Sequence, residues 1–214
     1  MKTLAVIALK GGSGKTTVAT HLALAAHLRG LDTMLVDVDP QKSAYNIMTA
    51  RDAEGPALVT STGERLMAAQ FAAIGLKKSL LVIDTAAGAV EAVTEAIVLA
   101  DLAVLVVRPT LIDIAGLAPT LSIVRKLCKP ALAVVTQAPA KREGVESPLV
   151  RRSLRALDYM KVQVATTIVR MRTVYQVGLE TGRSAEEMGD DAAAREIATL
   201  WEDVEIALEG GTAN

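Results

Sequence analysis

Short stretches made almost entirely of apolar residues recur along the chain, with segments of helical apolar spacing between them. The apolar stretches are LAVIAL (4–9), TMLVDV (33–38), SLLVID (79–84), LAVLVV (102–107) and ALAVVT (131–136). Because apolar and polar positions do not alternate in them, they are typical of parallel strands covered on both faces. Strands that alternate with helices predict a doubly wound α/β fold, with a mostly parallel sheet and helices on both faces.

The intervening segments predict helices, and the pattern becomes less regular after Thr136. Helices are predicted for TTVATHLALAAHLRG (16–30), STGERLMAAQFAAIGL (61–76), GAVEAVTEAIVLA (88–100), IAGLAPTLSIVRKLC (114–128), 148–157 and 192–211. The last of these is amphipathic with an acidic outer face. A short strand is predicted for KVQVATTIV (161–169). No repeat or linker interrupts the pattern, so residues 1–214 are expected to form a single domain.

Composition narrows the possible functions. Aromatic residues make up 2% of the chain while hydrophobic residues make up 51%, so the core must consist of Ala, Val, Leu and Ile. The formal net charge of -1 means that any nucleic-acid contact would come from a local basic patch. Acidic residues interrupt the most apolar stretch, between residues 89 and 107, so no membrane span is expected. We expect a soluble, cytoplasmic protein.

The segment LKGGSGKTTV (9–18) follows the first predicted strand and opens the first predicted helix. Glycines let backbone N–H groups turn toward phosphate oxygens, and the helix N-terminus adds partial positive charge. In the general phosphate-loop pattern, Lys15 would contact the phosphates and Thr16 would bind Mg²⁺. The segment departs from that pattern because Leu9 stands where the pattern has a glycine, and a second lysine, Lys10, lies at the mouth of the loop.

KGGSGKTT (10–17) resembles the deviant Walker A motif of the ParA/MinD superfamily of P-loop ATPases, and most closely the small ParA-type plasmid partition ATPases. The resemblance implies a Mg²⁺-dependent ATPase that binds ATP and ADP, forms a homodimer when ATP is bound, and has no N-terminal helix-turn-helix extension. Lys10 would be the signature lysine, which reaches the phosphates in the partner subunit, and it would act in catalysis with Lys15. The nucleotide-binding residues implied are Gly11, Gly12, Ser13, Gly14, Lys15, Thr16 and Thr17.

Two acidic segments at predicted strand ends extend the resemblance. MLVDVDPQ (34–41) resembles the superfamily's D-x-D-P-Q segment, and LLVIDTAAG (80–88) resembles a Walker B strand. They imply that Asp37 and Asp84 hold Mg²⁺ together with Thr16, and that Asp39 positions the attacking water. Residues 85–88 would form a switch that senses the γ-phosphate, although Ala-Ala stands where many members have Pro-Pro. In VVRPTLIDIAGL (106–117), Asp113 is expected to cap the following helix or to join the dimer interface.

The resemblance also implies a function and partners. Small partition ATPases position DNA or another cargo by binding double-stranded DNA without sequence preference when ATP is bound, and a ParB-type or other cargo-bound activator stimulates slow hydrolysis. Such a protein is cytoplasmic and associated with the nucleoid. Two basic clusters are candidate DNA contacts, or else solvated helix faces. They are Arg151, Arg152 and Arg155, and Arg170 and Arg172.

Two alternatives come from other classes within the same superfamily. A MinD-like, membrane-associated positioning ATPase would need a C-terminal helix rich in Lys and Arg, whereas the C-terminal segment here is acidic. An ATP-dependent ligase or amidase of the same fold would need a substrate pocket with converging polar groups beyond the nucleotide site. No such set of residues stands out between the motifs.

Overall fold

The computed structural model describes residues 1–8 and 10–210. The described residues form seven β-strands, nine α-helices and two short 3₁₀ helices. The strands are β1 (Lys2–Ile7), β2 (Thr33–Asp37), β3 (Ala57–Thr60), β4 (Leu80–Asp84), β5 (Leu102–Val107), β6 (Ala131–Val135) and β7 (Gln163–Val164). The α-helices are α1 (Lys15–Leu28), α2 (Ser43–Thr49), α3 (Leu66–Gly75), α4 (Val90–Leu99), α5 (Leu111–Ala115), α6 (Ala118–Lys126), α7 (Pro148–Tyr159), α8 (Thr173–Glu180) and α9 (Asp191–Gly210). The 3₁₀ helices are Gly63–Arg65 and Ala185–Glu187.

All seven strands are parallel and lie in the order β3-β2-β4-β1-β5-β6-β7. This arrangement confirms the predicted doubly wound α/β fold. The first strand lies in the middle, where Val6 pairs with Asp84 of β4 on one side and with Val104 of β5 on the other. Ligands of such sheets bind at the carboxyl ends of the strands, where the strand order changes direction. The loops after β1, β2 and β4 meet at that edge.

Helices cover both faces of the sheet. Leu4 and Val6 of β1 pack in the layer formed by α1, α2, α8 and α9. Ala5 and Ile7 of the same strand pack in the layer formed by α3, α4, α5, α6 and α7. Because successive side chains of a strand point to opposite faces, a strand buried on both sides must be apolar at every position. This explains the uninterrupted apolar stretches from which the central strands were predicted.

The two edge strands differ from the expectation. The sequence pattern did not predict β3, which is only half-buried. Of the strand predicted over residues 161–169, only the two residues Gln163–Val164 form a strand, β7. The first strand ends at Ile7, and the remainder of its predicted range includes Leu9, which lies outside the described residues. Edge strands bury one face less completely, so their apolar pattern is weaker.

The helices also differ from the predicted set: one predicted helix is divided, and two helices were not predicted. In place of the single helix predicted for residues 114–128, the structure has α5, which begins earlier at Leu111, and α6, which has Pro119 in its first turn. Proline is tolerated there but not in a helix interior, so a new helix begins before it. The sequence pattern did not predict the short helices α2 and α8. The predicted C-terminal helix is confirmed as α9, with Gly211 outside the described residues.

Candidate nucleotide site

The glycine-rich loop after β1 exposes a helix N-terminus at the carboxyl edge of the sheet. Gly12 and Gly14 adopt left-handed backbone angles, with φ of 71° and 91°. Gly14 is the N-cap of α1 and supplies no side-chain cap. Among the residues that the structure describes, no side chain caps the first N–H groups of α1, which is the arrangement that binds phosphate oxygens. Lys15, in the first turn, is buried and makes no hydrogen bond or ion pair within the described residues.

Two residues directly after β6 hydrogen-bond to the glycine-rich loop. The Thr136 hydroxyl donates to the carbonyl oxygen of Ser13 at 2.6 Å. The side-chain amide of Gln137 donates to the carbonyl oxygen of Gly12 at 2.7 Å. These bonds hold two loop carbonyls toward β6, which helps to fix the loop backbone around its N–H groups. Sequence reasoning missed both residues, although a Thr-Gln pair directly after a buried apolar strand was a visible signal.

Asp84 places a buried carboxylate beside this loop. It is the last residue of β4 and lies in register with Asp37, the last residue of β2. Neither carboxylate oxygen of Asp84 has a hydrogen-bond partner among the described residues. Burial raises the pKa of Asp84 to about 7, against the opposing effects of the nearby Thr16 hydroxyl and Lys15 ammonium group. The negative charges of Asp37 and Asp39 add to the increase of this pKa.

Asp37 organises the turn that carries Asp39. One Asp37 oxygen accepts the backbone N–H of Asp39 and the other accepts that of Tyr45, both at 2.9 Å. The half-buried Asp39 carboxylate accepts the backbone N–H of Gln41 at 2.9 Å. The structure thus brings the three predicted acidic residues to the carboxyl edge of neighbouring strands, next to the phosphate loop. Asp37 is the best satisfied of the three and Asp84 the least.

The donor set fits a hard divalent cation that keeps most of its water. Among the residues that the structure describes, no group of three His, Cys, Asp or Glu side chains lies close enough to hold a metal ion. Mg²⁺ at phosphate sites needs only one or two carboxylates, because phosphate oxygens and water complete its octahedron. The unpartnered oxygens of Asp84, with the Thr16 hydroxyl nearby, meet that requirement.

Lys10 is held by α5 of its own chain. Its ammonium nitrogen lies 3.0 Å from an oxygen of Asp113, and Arg108 Nε lies 2.9 Å from the other oxygen. Burial acts to raise the pKa of Asp113, but hydrogen bonds from Arg108, Thr110 and Lys10 outweigh it and lower this pKa below its ordinary value. The expectation that Asp113 caps the following helix is wrong, because Thr110 is the N-cap and its hydroxyl accepts the Asp113 N–H at 3.1 Å.

A cavity of about 160 Å³ adjoins the loop and the first turn of α1. Its floor includes Gly14 and Thr17, and the segment between β7 and α8 forms its wall. The remaining lining residues are Val18, Thr136, Gln137, Val169, Arg170, Met171, Arg172, Tyr175 and Gln176. Its position beside the phosphate loop suits the base and sugar of a nucleotide. No base-reading residue could be identified from the sequence, because this wall forms only when α8 packs against α1.

A buried hydrogen-bonded group links α1 to this wall. His21 Nδ1 lies 2.8 Å from the carbonyl oxygen of Thr17, and its ring meets the Tyr175 ring edge-on at a centroid distance of 5.2 Å. The Tyr175 hydroxyl donates to Glu196 at 2.7 Å. Burial lowers the pKa of His21 to about 4, although the bond to Thr17 opposes this decrease. His21 is therefore a neutral packing residue at neutral pH.

The two predicted basic clusters lie in different environments. Arg170 is buried, ion-paired with Glu146 and bonded to the carbonyl oxygen of Pro139. Arg172 is half-buried and ion-paired with Glu196 at 2.6 Å. These two arginines also line a larger cavity of about 440 Å³ beside α9, which does not include the phosphate loop. The three arginines of α7 are exposed, and their side chains have no ion-pair partner in the described part of the chain. They are Arg151, Arg152 and Arg155.

Comparison with known proteins agrees with this geometry. The model of the CobQ/CobB/MinD/ParA nucleotide binding domain matches residues 4–189. The chain is 26% identical over 209 residues to the maintenance of carboxysome distribution protein A of Halothiobacillus neapolitanus, and the alignment covers 94% of this chain and 95% of that protein.

Two solved structures share the fold across the chain. The apo structure of McdA from Cyanothece has a TM-score of 0.79 at 16% identity and covers 95% of this chain and 99% of that one. The septum site-determining protein MinD of Pyrococcus horikoshii, in complex with Mg-ADP, has a TM-score of 0.77 at 17% identity and covers 100% of this chain and 99% of that one. At these identities the likeness establishes the fold alone.

Proposed function

The chain belongs to the CobQ/CobB/MinD/ParA nucleotide-binding family, and on that premise we propose that it is a dimerising, Mg²⁺-dependent ATPase that positions a cargo on nucleoid DNA. A full-length relative is a carboxysome distribution protein, which supports a positioning role. We also propose that a protein bound to the cargo stimulates ATP hydrolysis. Among the described residues, none of the helices combines the length and the apolar character that spanning a membrane requires.

The observation that carries the proposal is the unpartnered carboxylate of Asp84 beside an uncapped helix N-terminus. A buried charge without a partner costs free energy, so a fold that keeps one at this position gains from a ligand that neutralises it. The ammonium group of the buried Lys15 lies close to the Asp84 carboxylate. A phosphate group with a bound divalent cation would complement both charges at once.

Each residue then has a defined part in ATP hydrolysis. The backbone N–H groups of Gly11–Gly14 and the Lys15 side chain bind the β- and γ-phosphates. Thr16, Asp37 and Asp84 would hold Mg²⁺, which neutralises charge on the phosphates when it is bound. Asp39 accepts a hydrogen bond from the attacking water and orients it in line with the bond that breaks.

Lys10 makes hydrolysis depend on association of two chains. In the single chain its ammonium group is paired with Asp113 of α5, not with the loop that it flanks. We assign it to the phosphates of a second subunit, where a further cation stabilises charge on the transferring phosphoryl group. Forming the dimer therefore requires Lys10 to exchange its bond with Asp113 for one with the partner's nucleotide.

The exposed arginines of α7 are the DNA contacts that we favour. Helix α7 packs against α5, the helix that holds Lys10. Dimerisation at the nucleotide face would bring two such arginine groups onto one assembly, and phosphate contacts made by both would add. The ion pairs of Arg170 and Arg172 suit these residues better to the wall of the base cavity than to DNA.

Binding to random-sequence duplex DNA tests this function. The protein is compared without nucleotide, with ADP, and with ATP and Mg²⁺, and Asp39→Ala serves as the variant that keeps the ATP-bound dimer. We expect salt-sensitive binding with ATP only. The triple variant Arg151→Ala/Arg152→Ala/Arg155→Ala should bind at least tenfold more weakly while it hydrolyses ATP normally. Arg183→Ala, another exposed arginine, is the matched control.

Other results would redirect the proposal. If ATP drives dimerisation but the dimers do not bind DNA at low salt, the α7 arginines are solvated surface residues. That result would favour a function as a scaffold without DNA or as an enzyme acting on a metabolic substrate. Binding to anionic vesicles instead of DNA would favour a MinD-like role, which the acidic α9 makes unfavourable.

A further inference from the structure

Helix α3 presents an apolar stripe to solvent. Met67, Phe71 and Ile74 recur at helical spacing on its outer face, and Phe71, the only phenylalanine in the chain, is 65% exposed. The opposite face of the helix is buried in the core through Leu66 and Ala73. Between Leu66 and Gly75 the helix has no charged residue. A helix on the surface of a monomer normally has a polar outer face, so this stripe indicates an interaction surface.

Neighbouring residues widen the stripe. Leu76, directly after the helix, is exposed, and so is Val98 of the adjacent helix α4. The Gln70 side-chain amide donates to the carbonyl oxygen of Leu99 at 3.1 Å, which holds α3 alongside α4. The stripe lies within the helix layer of α3 and α4 and shares no residue with the nucleotide site described above. A partner bound here would leave the phosphate loop accessible.

Opposite charges lie at the two ends of the stripe. Glu64 lies three residues before Met67, and Lys77 lies three residues after Ile74. Both side chains are exposed, and neither makes an ion pair within residues 1–8 and 10–210. The adjacent Lys78 is already paired with Asp32 at 2.6 Å, so Lys77 is the cation available at this end.

This spacing is self-complementary. If a second α3 packs antiparallel across a two-fold axis near Phe71, Met67 of each chain meets Ile74 of the other. The same axis places Glu64 of each chain opposite Lys77 of the other. Isologous interfaces require a surface that matches itself in this way. A lipid surface fits less well, because the basic residues near the stripe, Arg65 and Lys77, are accompanied by the acidic Glu64.

We propose that α3 is a homodimer interface that forms without nucleotide, through antiparallel pairing of the Met67, Phe71 and Ile74 stripe and exchange of the Glu64–Lys77 ion pairs. The contact is small by the standard of stable dimers, which bury roughly 800 Å² on each partner, so a weak, concentration-dependent dimer is expected. Combined with the proposed ATP-dependent interface, the α3 contact would link dimers into open chains. Only this consequence rests on the proposed function.

Sedimentation of the nucleotide-free protein over a range of concentrations tests the proposal. The wild type is expected to self-associate, and Phe71→Glu should weaken this association at least tenfold. Ile206→Glu, at an exposed apolar position on α9, is the matched control and should leave it unchanged. Phe71 is largely exposed, so its variant should keep the wild-type melting temperature. ATP binding and hydrolysis are measured on the same preparations, which separates this interface from the nucleotide site.

A charge exchange identifies the partner as a second copy. Glu64→Lys and Lys77→Glu should each weaken self-association, and the double variant should restore it, because each new lysine then faces a new glutamate. In a Cys128→Ser background, Phe71→Cys should form a cross-linked dimer under mild oxidation, since position 71 lies nearest the two-fold axis. A wild type that stays monomeric at all concentrations, or a double variant that is not restored, would overturn the proposal.

Discussion

The ionised form of Asp84 is poorly accommodated in the folded chain, because neither of its oxygens has a hydrogen-bond partner among the described residues and burial raises its pKa to about 7. Removing that charge while keeping the shape should relieve an electrostatic cost. We expect Asp84→Asn to raise the free energy of unfolding of the nucleotide-free protein by about 1–3 kcal/mol in urea titrations. The same variant should lose the stabilisation that Mg²⁺ and ATP give to the wild type.

Asp37→Asn is the matched control at the neighbouring strand end. Both Asp37 oxygens accept backbone N–H groups, so its amide variant should lower stability. A destabilised Asp84→Asn would mean that the carboxylate is satisfied in the free protein, and the main support for the nucleotide site would be lost.

His21 makes stability depend on pH. Its pKa of about 4 in the folded chain lies below the 6.5 of the unfolded chain, so the unfolded chain takes up the proton first. The contribution of the neutral ring is therefore complete above pH 6.5 and is lost as pH falls toward 4. The loss amounts to about 3 kcal/mol.

Urea unfolding at pH 7, 5.5 and 4.5 measures this dependence. In His21→Gln the free energy of unfolding should fall less steeply with decreasing pH over that range. His27→Gln, near the exposed end of the same helix, is the control for the loss of an imidazole. An unchanged slope in His21→Gln would show that other groups cause the acid sensitivity.

At the scale of single elements, burial decided what could be predicted. The strands β1, β2, β4, β5 and β6 are buried on both faces, and each was visible as an apolar stretch. The edge strands lack this signal because their faces are less completely covered: β3 is at most half-buried, and β7 includes the exposed Gln163. The short helices α2 and α8 depend on packing against α1, which no local pattern records.

The C-terminal end of α3 retains a local strain. Lys77 follows the helix with φ of 55°, a conformation that glycine adopts without steric cost. Lys77→Gly should therefore raise the free energy of unfolding by about 0.5–1 kcal/mol, measured at concentrations too low for self-association. Ser122→Gly, exposed inside α6, should have the opposite sign, because glycine there adds only flexibility. Equal effects at both positions would contradict this explanation.

For the molecule as a whole, the motifs located the site but not its surroundings. The phosphate loop and the acidic strand ends lie together as their spacing implied, because parallel strands end at one edge. The hydrogen bond from Thr136 to the loop and the ion pair between Lys10 and Asp113 each join segments about a hundred residues apart in the sequence. Only the assembled fold therefore shows them. In the proposed mechanism, Lys10 has two alternative partners: Asp113 in its own chain and a phosphate bound to a second chain.

Mixing two inactive variants tests that alternative most directly. Lys10→Ala lacks the lysine that we assign to the partner's nucleotide, and Asp39→Ala lacks the group that we assign to the attacking water. In a mixed dimer, the site on the Lys10→Ala chain has its own Asp39 and receives Lys10 from the other chain. When the two variants are mixed in equal amounts before ATP is added, we predict recovery of about a quarter of wild-type ATP turnover, since half of the dimers are then mixed and each has one complete site. Turnover equal to the sum of the separate variants would show that Lys10 serves its own chain, and would contradict the account.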